Sequence, residues 1–334
     1  MKAVGYREPG PIDRPQALED IEVAAPTPGP HDLLVEVRAV SVNPADYKIR
    51  KNVRPESGHR ILGWDAAGVV LAAGAEVTGF KAGDEVFYAG AIDRAGSNAE
   101  QQVVDARIAG PKPKNLSFAE AAALPLTAIT AWEALFDRFP IRRSPESKGS
   151  ILIVGGAGGV GSVAVQLARR LTGLTVIATA SRPETQAWVR ELGAHHVIDH
   201  SRPMAAQLVE LGIQPEYVFS TTHSDVHFKD IAELIAPQGH LALIDDPETF
   251  DVAPLKRKSI AVHWELMFTR SIFQTPDMAE QGRLLAEVSR LVDEGVLKTT
   301  LADHFGPINA ENLIRAHAFV ESGKARGKIV LEGF

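Results

Sequence analysis

Gly156-Ala157-Gly158-Gly159-Val160-Gly161 spaces its glycines as G-x-G-x-x-G. In such a loop Gly156 permits a tight turn and Gly158 lets backbone N–H groups approach a pyrophosphate. Gly161 lets the next helix pack closely on the strand. The start of that helix carries partial positive charge, which suits phosphate. The pattern alone is weak. Here the apolar run Ile151-Leu152-Ile153-Val154 precedes it and a helix-forming stretch from about Val160 to Leu171 follows. That setting makes Gly156, Gly158, Gly159, Val160 and Gly161 a dinucleotide site. The plainer alternative is a glycine turn with no ligand.

The next strand, Thr175-Val176-Ile177-Ala178-Thr179, bears on which dinucleotide. A chain that binds NAD usually has Asp or Glu at that strand's end, held against the ribose hydroxyls. This one continues Ala180-Ser181-Arg182. A carboxylate would repel a 2′-phosphate, whereas Ser181 can donate a hydrogen bond and Arg182 can pair with the charge. These residues favour NADPH. Ser181-Arg182-Pro183-Glu184 also fits a helix capping box, and both readings can hold at once.

Other chemistry is bounded by what the chain lacks. It has no cysteine, so disulfides and thiolate metal sites are impossible. His223-Ser224-Asp225-Val226-His227 places two histidines at i,i+4, a spacing that can clip a metal. It follows a strand and enters a helix, where polar residues usually cap or face solvent, so no metal is expected there. His195 and His196 open a strand and read as structural. A formal net charge of −7 argues against nucleic acid as a partner. No stretch reaches membrane-spanning length and the first residues do not resemble a signal peptide. The default is a cytoplasmic enzyme.

The elements that must position these residues follow from periodicity. Leu33 to Val42 alternates as a half-buried strand. Val69-Val70-Leu71, Val86-Phe87-Tyr88 and Ala99 to Val104 are further short strands separated by turns, which suggests a small barrel. Ser117-Phe118-Ala119-Glu120 is a capping box that opens a helix, Pro125 ends or kinks it, and a second helix covers roughly Ala128 to Phe136. Phe139 to Lys148 is a connecting loop. From Ser150 strands and helices alternate. His196-Val197-Ile198, Tyr217-Val218-Phe219 and Leu241-Ala242-Leu243-Ile244 are the later strands, and Glu184 to Leu192 is one of the helices. That order predicts an α/β fold with a doubly wound parallel sheet. Gln281 to Glu294 and Ala310 to Ser322 are helical, and Ile329-Val330-Leu331 is a terminal strand.

Longer motifs add a resemblance. Val42-Asn43-Pro44-Ala45-Asp46-Tyr47-Lys48-Ile49-Arg50, Leu62-Gly63-Trp64-Asp65-Ala66-Ala67-Gly68-Val69-Val70 and Leu124-Pro125-Leu126-Thr127-Ala128-Ile129-Thr130-Ala131 resemble the medium-chain dehydrogenase/reductase family. The glycine loop and Gly327-Lys328-Ile329-Val330-Leu331 complete the likeness, which spans almost the whole chain. It is nearest to the zinc-free quinone oxidoreductase branch and the zinc-type alcohol dehydrogenase-like proteins. The resemblance implies a GroES-like β-barrel catalytic domain over 1–125 and 267–334. It implies a Rossmann NADP-binding domain over 126–266, an active site in the cleft between the domains, and a homodimer.

Zinc-dependent relatives bind catalytic zinc through a cysteine in the first motif and a histidine in the second. Asn43 and Trp64 stand at those positions here, so no zinc is expected. Negative charge building on an acceptor's carbonyl oxygen then needs hydrogen-bond donors. The resemblance offers Asn43, with Tyr47 or Lys48 as the donor of a hydrogen bond or proton. The best-known quinone reductases have tyrosine one position later, where Lys48 stands. A partly buried aromatic and a solvated charge are the plain readings of Tyr47 and Lys48.

For the cofactor, the resemblance places Thr127 at the nicotinamide carboxamide, though Thr127 also suits a helix N-cap. Ser220 and Thr221 would approach the nicotinamide ribose, with Leu243, Ile244 and Asp245 near the ring. His200 stands where relatives often place a tyrosine near the 2′-phosphate. Lys324 and Arg326 are further basic candidates, or plain surface charges. His263-Trp264-Glu265-Leu266-Met267-Phe268 is aromatic and apolar. Trp264, Met267 and Phe268, with Trp64, would line a pocket for a small hydrophobic carbonyl or quinone; interdomain core is the alternative. The function implied is hydride transfer from NADPH to a quinone or α,β-unsaturated carbonyl without a metal. A zinc-type alcohol/aldehyde dehydrogenase and a non-catalytic NADPH-binding redox sensor are the competing readings.

Overall fold

A computed structural model describes residues 1–334. The chain forms two compact units, Met1–Ile129 with Phe268–Phe334, and Thr130–Met267. The changeovers fall at 129/130 and 267/268, a few residues beyond the expected 125/126 and 266/267.

The first unit opens with β1 (Lys2–Tyr6), β2 (Glu19–Glu22) and β3 (Asp32–Ser41). Along β3, Leu33, Val35 and Val37 are buried while Arg38 is exposed, the alternation of a strand with one covered face. Helix α1 (Pro44–Asn52) follows directly, and the sequence reading did not include it. Its start is encoded locally: the Asp46 carboxylate accepts from the Asn43 N–H at 2.6 Å, and Pro44 takes the first helical position, where a missing N–H costs nothing. Then come β4 (Arg60–Ile61), β5 (Ala66–Ala73), β6 (Glu85–Tyr88), β7 (Gln101–Asp105) and β8 (Ala109–Pro111).

Helix α2 (Phe118–Ala122) has the expected box. Ser117 Oγ accepts from the Glu120 N–H at 3.2 Å, and the Glu120 carboxylate accepts from the Ser117 N–H at 2.9 Å. Pro125 starts α3 (Pro125–Trp132) rather than only ending its predecessor. This second helix begins earlier than Ala128 and continues as a π-helical turn over Glu133–Arg138.

The second unit alternates as expected: β9 (Ser150–Val154), α4 (Gly159–Leu171), β10 (Thr175–Thr179), α5 (Pro183–Leu192), β11 (His196–Ile198), α6 (Met204–Leu211), β12 (Tyr217–Ser220), α7 (Ser224–Leu234), β13 (His240–Leu243) and β14 (Ala261–Trp264). The sheet runs β11-β10-β9-β12-β13-β14 and every pairing is parallel. All of β9 is buried, as a strand covered on both faces must be. Leu152, Val154, Ile177, Val218 and Leu241 form one core with Met204 and Leu208 of α6 and Ile231 and Leu234 of α7. The order reverses at β9, so the loops after β9 and β12 diverge and leave a crevice where ligands bind in such sheets. His263 and Trp264, the start of the segment read above as pocket lining, form the end of β14, the edge strand.

The chain then returns to the first unit with α8 (Thr269–Ile272), α9 (Glu280–Asp293), β15 (Leu301–His304), α10 (Ala310–Glu321) and β16 (Lys328–Glu332). Its larger sheet has 7 strands, ordered β15-β16-β3-β5-β6-β8 with β7 also paired to β3; β2-β1-β4 form a second, 3-stranded sheet. The last strand, β16, lies antiparallel to β3 near its end, with Val330 opposite Ser41. Residues from both ends of the sequence thereby meet at the entry to α1.

Candidate functional site

The glycine loop joins β9 to α4. Gly155 holds φ at +76°, a left-handed conformation that side chains resist. Gly156, expected to make the tight turn, does not have positive φ. Its hydrogen occupies space a Cβ could not, because that atom would lie 2.8 Å from Ala178 Cβ. The turn belongs to Gly155, and Gly156 serves close packing on β10. Gly161 has the expected role: a Cβ there would lie 2.3 Å from the Gly155 carbonyl oxygen. A Cβ on Gly158 would meet nothing nearer than that same oxygen, at 3.4 Å. Gly158 precedes the first helical residue, and the first intrahelical bond is Ser162 N–H to Gly158 O at 2.9 Å. The N–H groups of Gly159, Val160 and Gly161 therefore lack intrahelical acceptors and form the anion-binding end of α4.

At the end of β10, Thr179 Oγ1 accepts from the Gly155 N–H at 2.9 Å and lies 3.1 Å from His200 Nδ1. His200 thus stands beside both the glycine loop and the strand end. Ser181 is exposed. The capping pair expected from Ser181 and Glu184 lies one residue further on: the Arg182 N–H donates to Thr185 Oγ1 at 3.2 Å. Pro183 takes the first helical position, which moves the cap to Arg182. The Arg182 guanidinium is 2.9 Å from Glu184, a surface pair of small energy that a phosphate can displace.

Past β12, Ser220 does not face outward. It is fully buried, with Oγ 2.7 Å from Ser224 Oγ, and Ser224 donates through N–H and Oγ to Asp245 at 2.7 and 2.6 Å. Its side chain ties the strand end to α7, which removes it as a direct ribose ligand. Thr221 is half-buried; its Oγ1 donates to the Val154 carbonyl at 2.8 Å and keeps lone pairs for an incoming donor. The Leu243 side chain is buried and Ile244 is half-buried. Of these four, Thr221 and Ile244 remain placed to meet a ligand.

In the first unit, Asn43 is buried and its amide is fully engaged. Nδ2 donates to Asp65 Oδ2 at 2.8 Å and to the Trp64 carbonyl at 3.3 Å, while Oδ1 accepts from the Lys328 ammonium. No hydrogen is left for an acceptor's oxygen, so Asn43 is withdrawn as a donor. Asp65 is the hub sequence reasoning missed. It pairs with Lys328 at 3.0 Å, and its Oδ1 accepts from the Leu126 N–H at 2.7 Å, anchoring the first turn of α3. Burial pushes the Asp65 carboxyl up, while the ammonium opposes that shift. Asp46, buried beside this group, is pushed up to about 7 by burial, against the Asn43 N–H and Lys328, which favour its charge.

Thr127 lies in that first turn, with Oγ1 donating to the Leu124 carbonyl at 2.9 Å. Its oxygen can still accept from a carboxamide N–H. Tyr47 and Lys48 on α1 are both half-buried. Trp64, expected in the pocket, is fully buried: Nε1 donates to the Ala91 carbonyl at 3.2 Å and the ring packs edge-on against Phe268, centroids 6.2 Å apart. Phe268 and Met267 are also buried, whereas Trp264 is 55% exposed. Trp64 and Phe268 are core, the alternative already open for the second. Lys324 is exposed and Arg326 half-buried on the loop before β16.

A carboxyl pair in the second unit had no sequence signal. Glu265 follows β14, and its N–H donates to the Leu243 carbonyl at 3.0 Å. Its buried side chain lies against Glu133 of the π-helical turn and 2.8 Å from Arg138 Nε. Burial and the neighbouring Glu133 push Glu265 up to about 9, so the pair holds a proton at neutral pH.

Comparison with known proteins agrees with this architecture. Residues 29–133 match the alcohol dehydrogenase GroES-like domain, and residues 192–331 match a zinc-binding dehydrogenase domain. The chain is 41% identical to a zinc-type alcohol dehydrogenase-like protein of Staphylococcus aureus, over 99% of each. It is 30% identical to the 2-methylene-furan-3-one reductase of Solanum lycopersicum, over 99% of this chain and 79% of that one. A Rhizobium etli protein described as a zinc-dependent alcohol dehydrogenase shares the fold at TM-score 0.96 and 62% identity, covering 100% of this chain and 98% of the other. A mycobacterial protein solved with NADPH does so at TM-score 0.84 and 26% identity, over 99% of each. The chain belongs to the medium-chain dehydrogenase/reductase family, among its zinc-type alcohol dehydrogenase-like members. It is an oxidoreductase by family, with a Rossmann-type and a GroES-like domain.

The zinc in those names does not fit these residues. Asn43 and Trp64, at the expected ligand positions, donate hydrogen bonds to protein oxygens. A fixed ammonium, Lys328, already compensates Asp65. A divalent cation there would meet donors and like charge instead of lone pairs.

Proposed function

We propose that this chain is an NADPH-dependent oxidoreductase that delivers hydride to a quinone or an α,β-unsaturated carbonyl without a catalytic metal. The observation that carries the metal-free part is the Asn43–Asp65–Lys328 cluster, in which an ammonium neutralises the carboxylate beside the family's zinc position. NADPH is favoured by the end of β10, where Ser181, Arg182 and His200 stand in place of a ribose-binding carboxylate, and by the NADPH bound in a relative. The enone class is favoured by the 2-methylene-furan-3-one reductase among the relatives.

When bound, the nicotinamide supplies the hydride. The first turn of α4 would hold the pyrophosphate through backbone N–H groups. Thr221 would offer an oxygen to the ribose and Thr127 one to the carboxamide, with Ile244 as a candidate to pack on the ring. Hydride delivered to the β-carbon of an enone would leave an enolate with its negative charge on the carbonyl oxygen. Tyr47 or Lys48 would donate a hydrogen bond to that oxygen, and a proton taken from solvent at the α-carbon would complete the saturated ketone. With Asn43 engaged elsewhere, these two side chains carry the donor role alone. Trp264 stays as a pocket residue in this reading, Met267 joins Trp64 and Phe268 in the core, and Lys324 and Arg326 stay as secondary phosphate partners. The assembly expected from the family is a homodimer, and the chain has no helix long and apolar enough to cross a membrane.

The test is turnover by metal-analysed protein with NADPH or NADH against quinones, enones, aldehydes and alcohols. Enone or quinone reduction without stoichiometric zinc is expected. Zinc-dependent alcohol oxidation, or tight NADPH binding with no turnover of any acceptor, would overturn the reading.

A further inference from the structure

Three histidines gather on the crevice side of the second unit. His200, after β11, lies beside Thr179 as described. His227, one turn into α7, packs edge-on against it, with ring centroids 5.9 Å apart. His223 precedes α7 in a left-handed conformation, φ 49°, with Nδ1 2.7 Å from Thr222 Oγ1. The His227 N–H donates to the His223 carbonyl at 3.1 Å. The strained backbone at His223 and the turn of α7 thus carry two imidazoles toward the strand end where a cofactor's adenosine ribose lies in such folds.

The charged groups around them are few. Arg182 faces His200 from the start of α5, and Asp199 adjoins it in sequence. Asp225 and Asp230 of α7 face His227. Two of the carboxylates are committed elsewhere: Asp199 accepts from the Ser201 N–H and hydroxyl at 2.8 and 2.7 Å, and Asp230 from the Met204 N–H at 2.7 Å. Burial holds the His200 and His227 imidazoles below the ordinary histidine range, and neighbouring positive charge adds to the effect. In the ligand-free protein the His200 and His227 rings are therefore biased toward their neutral forms.

We infer that His200 and His227, with His223 beside them, form a proton-taking pocket for the cofactor's 2′-phosphate, so that NADPH binding takes up protons and the preference for NADPH over NADH strengthens as pH falls. This rests on the NADPH reading above and adds its mechanism. A phosphate reverses the local field: an anion within about 4–6 Å favours the charged imidazole, raising its pKa. NADH has no such group and leaves the histidines neutral. The sign follows from linkage. The NADPH complex binds more protons than the free protein, so its affinity rises with proton concentration. The limit is about tenfold per pH unit for each proton fully taken up. Fixed guanidinium or ammonium groups alone would give no such slope.

The test measures Kd for NADPH and NADH on the full chain at pH 6.5 to 8.5, mostly above the second phosphate pKa of about 6. Calorimetry in two buffers of different ionisation enthalpy counts the protons. The same titration with adenosine 2′,5′-bisphosphate and 5′-AMP isolates the phosphate. Expected are uptake of about one proton with NADPH or the bisphosphate and none with NADH or 5′-AMP, at the linkage limit above. His200→Gln and His227→Gln should each reduce that uptake, with thermal unfolding confirming that they fold. NADPH bound more tightly than NADH with no uptake and a flat preference would overturn this inference and leave the NADPH reading standing. NADH bound more tightly throughout would overturn that reading itself.

Discussion

Lys328 of the last strand places its ammonium 3.0 Å from the Asp65 carboxylate, and both side chains are buried. Asp65 also holds the Leu126 N–H and the Asn43 amide. One ion pair thus joins the end of the chain, the start of α1 and the start of α3. Removing one partner of a buried pair strands the other charge, at a cost of about 3–5 kcal/mol. Lys328→Met should destabilise the protein by that order in urea unfolding. Lys328→Met with Asp65→Asn should recover part of the loss, and no recovery would remove the pair's assigned role.

Asn43 is held by structural hydrogen bonds, and Tyr47 and Lys48 are the proposed donors. Asn43→Ala should lower the unfolding midpoint and leave kcat of the folded fraction within a few-fold. Tyr47→Phe or Lys48→Met, whichever removes the working donor, should lower kcat by about 10²–10³-fold with little change in stability. Steady-state kinetics beside thermal unfolding separates the two classes. A kcat unchanged in both donor variants would refute their role.

The glycine loop gives a paired contrast. Gly161→Ala drives a methyl to 2.3 Å from a backbone oxygen, so loop and helix must separate. Both stability and cofactor binding should fall. Gly158→Ala meets nothing closer than 3.4 Å in the protein itself. It should fold normally and weaken only cofactor binding, because the methyl would occupy space that the proposed pyrophosphate site needs. Equal loss of stability in both variants would contradict this division.

The Glu265–Glu133 pair predicts a pH dependence. The folded state holds a proton on Glu265 up to about 9, whereas the unfolded carboxyl releases it near its ordinary value, about 4.3. The folded state therefore binds more protons between those limits, and stability from this group falls as pH rises through them. Glu265→Gln keeps the neutral form. Relative to wild type it should gain stability from pH 5 to 9, by up to about 1.4 kcal/mol per pH unit over that span. Denaturant midpoints across that range measure it, and parallel curves would reject the shared proton.

Much of this was legible from local pattern. The strands of the second unit are short apolar runs between clear breaks, and the loop after β9 carries its glycines at a diagnostic spacing. Local pattern could not say that Gly155, outside the motif, makes the turn, because a positive φ leaves no mark in a sequence full of glycine. It could not separate Trp64 in the core from Trp64 in a pocket, since both demand an aromatic. Asn43 looked like a free donor because its acceptor, Asp65, and its own donor, Lys328, come together only in the fold. The start of α1 is legible in Asn43-Pro44-Ala45-Asp46, where Pro44 takes the first helical position and Asp46 accepts from the Asn43 N–H. Glu133 and Glu265 carry no local mark of their burial, because glutamates are usually exposed.

The first unit is discontinuous, and this has a consequence for synthesis. A ribosome delivers Asp65 long before Lys328, so the nascent unit carries an unneutralised carboxylate and an unpaired flank on β3. The second unit is contiguous and can close while the final segment is still in the exit tunnel. Arrested chains ending near residue 300 should therefore show protease-resistant Rossmann fragments beside a sensitive N-terminal portion. The opposite order of protection would show that the barrel matures without its last strand.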